Sequence, residues 1–212
     1  MTKGLFITIE GGDGAGKSTQ IENIKNYFEN KGYKCRITRE PGGTPIGEKL
    51  RDILLDPAHK EMSGITEMMI YAASRAQHVA EVIRPAVENG EIVICDRYVD
   101  SSIAYQAFGR NLGDMVESVN KYAVDGFMPD ITFWMDIDPE SGRKRIGTRE
   151  NPDLDRLEQE KLDFHYKVYE GYKSISEKQP NRVKRIDATR TIEEIKDEIY
   201  RYLDELCSRV HC

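Results

Sequence analysis

Short runs dense in β-branched and aliphatic residues alternate along this chain with longer stretches whose apolar residues recur every three or four positions. That alternation predicts a parallel sheet covered by helices on both faces. The short runs are Leu5 to Glu10, Lys34 to Thr38, Ile92 to Asp96, Ile131 to Asp136 and Val183 to Ile186. Five such strands suffice for a doubly wound α/β sheet. The first helix is expected to begin at Lys17, with Ile21, Ile24 and Phe28 on its inner face and Gly32 ending it. Further helices are predicted over Pro45 to Leu55, Thr66 to Glu88, Gly113 to Asp125, Pro139 to Thr148, Leu157 to Glu177 and Thr191 to Cys207. Thr191 and Glu194 have capping-box spacing. With no repeat or linker in sight, residues 1–212 are expected to form one domain.

Composition narrows the partners. A chain with 39% hydrophobic and 32% charged residues can build a substantial core without disulfides. Cys35 and Cys95 fall in predicted strands, and Cys207 and Cys212 lack CxxC pairing, so neither a disulfide framework nor a zinc site is expected. The net charge of −6 argues against nucleic acid as the main partner. No run is long and apolar enough for a membrane span or a signal peptide, so a cytoplasmic location is expected. Against the acidic background three basic clusters stand out: Arg39 with Arg51, Arg75 with Arg97, and Arg143, Lys144, Arg145 and Arg149.

The strongest chemical signal follows the first strand. Gly11, Gly12, Asp13, Gly14, Ala15, Gly16, Lys17 and Ser18 fit G-x-x-x-x-G-K-[ST] at every fixed position. Such a loop wraps backbone amides around a phosphate at the positive end of a helix, while the lysine reaches the β and γ oxygens and the serine offers a hydroxyl to Mg²⁺. The loop and the adjoining Thr19 therefore mark an ATP site. A carboxylate at another strand end should face the metal, and both Asp96 and Asp136 qualify. Asp96 is preferred because Arg97 follows it, whereas Asp136 reads as a turn residue before Pro139.

A phosphate loop alone does not separate an enzyme from a nucleotide switch. The guanine-reading N-K-x-D is absent, and the only D-x-x-G, Asp13 to Gly16, lies inside the loop itself. A kinase is the better reading. Tyr71, Arg75 and His78 are spaced four and three apart, so an aromatic plate and a cation can address one ligand from a single helix face, a core tyrosine being the plainer alternative.

The loop, Arg39-Glu40-Pro41-Gly42-Gly43, Ala72-Ala73-Ser74-Arg75, Asp96-Arg97-Tyr98 with Asp100 to Ser102 and Ala104 to Gln106, and Asp155-Arg156-Leu157-Glu158 occur in this order over nearly the whole chain. In this the chain resembles the thymidylate kinases, in the bacterial-like form that carries its catalytic arginine in a lid. The resemblance implies a five-stranded parallel sheet, a homodimer, and transfer of the ATP γ-phosphate to thymidine monophosphate with Mg²⁺. It implies that Arg39, Arg75 and Arg97 hold the acceptor phosphate, with Pro41, Arg51 and Tyr71 in the same site. Ser102 and Gln106 would address the base, Tyr105 the sugar, and Asp187 and Ala188 the donor adenine. The family usually has Phe where Tyr71 stands. Asp13 would orient the acceptor or metal waters.

Because Gly14 leaves the loop without an arginine, the transition-state cation is expected from a lid at about residues 143–156, from Arg149, with Arg143 nearer the donor base. A deoxynucleoside kinase, or a kinase for another nucleoside monophosphate, remains the alternative.

Overall fold

The strand β1 (Phe6–Glu10) is buried at all its positions because it lies at the centre of a sheet. A strand covered on both faces needs apolar side chains in both directions, and alternate residues serve different cores. Leu5, Ile7 and Ile9 join one cluster, with residues of α1 (Lys17–Glu29) and α9 (Ile192–Val210). Phe6 points the other way, to Val79, Ile83, Val93 and Tyr98. The remaining strands are β2 (Cys35–Arg39), β3 (Ile92–Asp96), β4 (Ile131–Asp136) and β5 (Val183–Asp187). All pair in parallel, in the order β2-β3-β1-β4-β5. The computed structural model describes residues 4–147 and 155–210.

The other helices are α2 (Pro45–Leu55), α3 (Gly64–His78), α4 (Arg84–Glu88), α5 (Val99–Ser102), α6 (Met115–Val124), α7 (Pro139–Gly147) and α8 (Leu162–Lys178). Among the described residues no helix is long and apolar enough to cross a membrane. Every strand ends in a charged residue on the same edge: Glu10, Arg39, Asp96, Asp136 and Asp187. In open parallel sheets ligands bind outside that edge, so the topology alone gathers the candidate chemistry there.

Three elements depart from the sequence expectation. The helix expected over Thr66 to Glu88 starts at Gly64 and widens into a π-helical segment, Val79–Ile83, before α4. The helix expected from Leu157 starts at Leu162, because the Asp155 carboxylate accepts from the amides of Leu157 and Glu158 and folds that stretch as a turn. Where no helix was expected, α5 runs into a second π-helical segment, Ile103–Gly109.

Candidate active site

The phosphate loop needs glycine for identifiable reasons. Gly14 and Gly16 have φ of 78° and 87°, in the left-handed region where a side chain is strained. A Cβ on Gly14 would also lie 2.3 Å from the carbonyl oxygen of Gly142, so α7 packs directly on the loop. An arginine at position 14 is therefore excluded by the backbone of α7 as well as absent from the sequence. Gly16 is the N-cap of α1 and provides no capping side chain, which leaves the first-turn amides to the loop. Lys17 is buried, and its Nζ donates to the carbonyls of Gly11 (3.2 Å) and Gly12 (3.1 Å).

Of the two strand-end carboxylates, Asp136 is committed to Arg185, whose Nε lies 2.6 Å from Oδ2. Asp96 is different: its Oδ1 is buried without a hydrogen-bond partner. It lines one cavity together with Ser18 and Lys17. A buried acceptor beside a hydroxyl and a phosphate loop is a donor set suited to Mg²⁺, which takes few protein oxygens and completes its shell with water and phosphate. The described residues contain no cluster of three or more metal-binding side chains, as such a site requires none.

That cavity, about 310 Å³, gathers the residues singled out for the acceptor: Arg39, Pro41, Arg51, Tyr71, Arg75, Arg97, Ser102, Tyr105 and Gln106, with Asp13 and Thr19 at the loop side. Arg97 is held with φ 68°. Its Nη2 donates to Asp13 Oδ1 at 2.6 Å and its guanidinium lies 5.2 Å from the centroid of the Tyr105 ring. Burial pushes the Asp13 carboxyl up, but the charges of Arg97 and Lys17 outweigh it and hold the group below its ordinary value. Asp13 is thus an anion that aligns Arg97. Arg39 pairs with Glu48 (2.8 Å), which also accepts from the Gly43 amide, and Arg51 donates to the Pro41 carbonyl. Burial and the nearby charge of Arg39 both lower the pKa of Arg51, as expected where two cations converge on a space suited to an anion.

Arg75 is 1% exposed. Its donors go to Glu40, Ser102, Asn120 and the Tyr98 carbonyl, so it touches the cavity as a buried structural cation more than as an open fork. His78 does not line the cavity. Its two ring nitrogens bond Glu40 and Thr38, so the shared helix face of Tyr71, Arg75 and His78 serves Glu40 as much as a ligand.

The donor-side expectations are more scattered. Ala188 is buried and Asp187 accepts from Thr189; both lie at the end of β5, apart from the linings of the two principal cavities. It is Arg145, not Arg143, that reaches this turn, by donating to the Ala188 carbonyl at 3.0 Å. Arg143 donates to the Glu160 carbonyl and faces a second cavity of about 670 Å³ between α7 and α8, walled by Trp134, Ile137, Ile146, Val168 and Tyr172. That cavity is larger, but its apolar walls suit phosphate chemistry less than the cationic one beside the loop. Arg149 lies outside the described residues.

Sequence reasoning gave no role to Glu10, Glu40 or Glu67, three buried carboxylates that hold the site together. Glu10 accepts from the Tyr98 amide, Ser101 and Tyr172. The only sequence signal was position: Glu10 precedes the phosphate loop and Glu40 follows Arg39.

A phosphate loop leaving the central strand, an unsatisfied carboxylate at the next strand end and a cationic cavity facing both define a P-loop kinase of the nucleoside monophosphate class. A sequence model of thymidylate kinase matches residues 9–199. Thymidylate kinases of Clostridium novyi (strain NT) and Geobacillus sp. (strain WCH70) are 45% and 48% identical, covering 96% and 91% of this chain and 100% and 92% of their own. The solved thymidylate kinase of Ehrlichia chaffeensis superposes with a TM-score of 0.77 at 30% identity, over 95% of this chain and 99% of that one. The chain belongs to the thymidylate kinase family. It is an enzyme that uses ATP to phosphorylate thymidine monophosphate to the diphosphate.

Proposed function

We propose that this transfer is run by positioning and charge neutralisation, with the residues around the smaller cavity dividing the work. Two polyanions must approach in line, and the chemistry needs little from a strong base. The observation that carries the reading is the shared cavity in which Lys17, Asp96 and Arg97 lie together. The amides of Gly11 to Ser18 and the ammonium of Lys17 take the donor phosphates. Ser18 and Asp96 would hold Mg²⁺, which when bound offsets charge between the β and γ phosphates. Arg97, aligned by Asp13, and Arg39 and Arg51 take the acceptor phosphate, while Arg75 adds charge from beneath. Tyr71 lies along the base, Ser102 and Gln106 read its edge, and Tyr105 stands at the sugar, where its ring disfavours a 2′-hydroxyl. The donor adenine is assigned to the turn of Asp187 and Ala188, which Arg145 braces, and Arg149 is the cation that arrives at the transition state.

The enzyme is proposed to act in the cytoplasm as a homodimer, without nucleic acid. Ile65 and Met69 on α3 and Met115 and Tyr122 on α6 are exposed apolar side chains on adjacent helices, a feature that supports self-association. Sedimentation at micromolar concentration tests that point.

One coupled assay tests the chemistry: ATP with thymidine monophosphate, the other nucleoside monophosphates and thymidine, each at several Mg²⁺ concentrations. Turnover should be highest with thymidine monophosphate, negligible with thymidine, and lost on chelation. Asp96→Asn should raise the Mg²⁺ requirement. A preference for uncharged thymidine would transfer the reading to a deoxynucleoside kinase.

A further inference from the structure

Gln106 sits on the π-helical segment after α5, lines the acceptor cavity and is 1% exposed. Its Nε2 donates to Glu67 Oε1 at 2.9 Å, while its Oε1 is buried without a partner. An amide side chain can be turned over, exchanging donor and acceptor, and only its partners decide which end faces a ligand. Here the partner is a carboxylate. The reversed amide would set a carbonyl oxygen against a carboxylate oxygen inside the protein, where like partial charges repel most.

Glu67 is fully buried on α3. Arg110 donates to both of its oxygens (3.2 and 2.9 Å), and Arg156 to Oε2 at 2.7 Å. Burial pushes this carboxyl up, but the hydrogen bonds and charges of the two arginines prevail and hold it below its ordinary range. A carboxylate held by two arginines, which can only accept from the amide, therefore stands behind it.

We propose that Glu67 is a positioning residue for base specificity: it fixes Gln106 with its carbonyl oxygen toward the cavity, so that the site accepts a pyrimidine whose ring edge donates an N–H. Thymine and uracil donate at N3; cytosine presents a bare acceptor there and meets Oε1 with repulsion. Ser102 complements the pattern, because its oxygen accepts from Arg75 and so has its own hydrogen to give to a carbonyl. A site built for a hydrogen bond rejects the ligand that cannot make it far more strongly than an apolar pocket rejects a misfit. The inference rests on reading Gln106 as a base contact and adds what sets its polarity.

The test compares thymidine monophosphate with 5-methyldeoxycytidine monophosphate, which keeps the methyl group and differs at N3 and the exocyclic substituent. The wild-type chain should favour the former strongly. Glu67→Gln allows the Gln106 amide to turn and should reduce the ratio of kcat/KM values by roughly tenfold or more, mainly through KM. The ratio against deoxyuridine monophosphate should stay put, since N3 is unchanged. Glu67→Gln leaves two arginines facing one amide, so Glu67→Gln/Arg110→Gln is the charge-relieved companion, expected to shift the ratio in the same way. Unfolding melts of each variant separate a lost fold from a changed preference. If neither folds, wild-type chain with ¹⁵N-labelled glutamine decides: the Gln106 amide protons should be protected from exchange before substrate is added, and free exchange overturns the proposal. A ratio within about twofold of wild type in a folded variant overturns it as well. Wild type that fails on thymidine monophosphate would instead remove the functional reading itself.

Discussion

At the residue scale the site depends on where single charges are pinned, and Arg97 is the clearest case. Its left-handed backbone carries a strain of about 1 kcal/mol for a residue with a side chain. That conformation lets its amide bond the Ile9 carbonyl while the guanidinium reaches Asp13. The two contributions can be separated. Arg97→Gly should be more stable than Arg97→Ala by about 1 kcal/mol, because glycine enters this region freely. Both should lose activity alike, by about 2–4 kcal/mol in kcat/KM, from a missing charge-assisted contact and poorer alignment. Urea denaturation and steady-state kinetics on the pair check this; equal stabilities would mean that the backbone is relaxed at 97. Arg149 makes a different demand. A cation used only at the transition state affects kcat more than KM. Arg149→Ala should lower the single-turnover rate by orders of magnitude with modest change in KM, and lysine should restore only part, since a point charge cannot copy the planar fork. A normal single-turnover rate would pass the role to Arg143, Arg145 or Arg156.

At the scale of elements, the contact that matters most is between the phosphate loop and α7. Gly14 meets the carbonyl of Gly142, and a Cβ on Gly142 would lie 2.6 Å from the carbonyl oxygen of Asp13. Gly142→Ala gains helix propensity worth about 0.5–1 kcal/mol, yet forcing a methyl against fixed backbone costs about 1–3 kcal/mol. The clash should win: a modest drop in melting temperature is expected, with a much larger loss of activity as α7 lifts from the loop. An active, stabilised variant would show that the loop tolerates the shift. Neither glycine announces this packing in the sequence, where each looks like an ordinary loop or helix residue. The phosphate loop was legible because its glycines, lysine and serine are fixed by local chemistry, and the five strands because central parallel strands are apolar throughout. The helical stretch Val99–Gly109 was not. Its inward side carries Ser102 and Gln106, which border the ligand cavity, and Asp100, which pairs with Arg182, and π-helical winding breaks the 3.6-residue repeat that a pattern search follows. The same widening in Val79–Ile83, where the Arg84 amide reaches back to the Val79 carbonyl, immediately precedes Pro85, which has no amide to continue the helical ladder. Long-range partners such as Glu67 with Arg156, or Glu10 with Tyr172, are set by the assembled fold and leave no local pattern to read.

For the molecule as a whole, Glu10 ties the site to global stability. It is fully buried at the end of β1 and holds the Tyr98 amide, the Ser101 hydroxyl and Tyr172, so it joins the sheet, α5 and α8. Burial, reinforced by the nearby Asp100, pushes its carboxyl up from 4.5 to about 7, against the hydrogen bonds and the charge of Arg97. A group whose folded pKa is raised binds its proton more tightly in the native state. Its stabilising contribution is fully present below pH 4.5 and is lost as pH rises through about 7. A shift of that size corresponds to roughly 3 kcal/mol. Other groups act with the opposite sign. Asp13 and Glu67, held below their ordinary values, contribute stability that is lost only as pH falls through the acid range. His165, lowered by burial and by Arg143, favours folding more as pH rises through its own titration. Glu10 is therefore isolated by difference. In Glu10→Gln the group cannot titrate, so the stability gap between variant and wild type should move in favour of the variant between about pH 5 and pH 8, by up to a few kcal/mol. Urea unfolding of both proteins across that interval measures the gap. If it stays constant with pH, Glu10 titrates outside this window, and the contacts from Tyr98, Ser101 and Tyr172 hold it as an anion throughout.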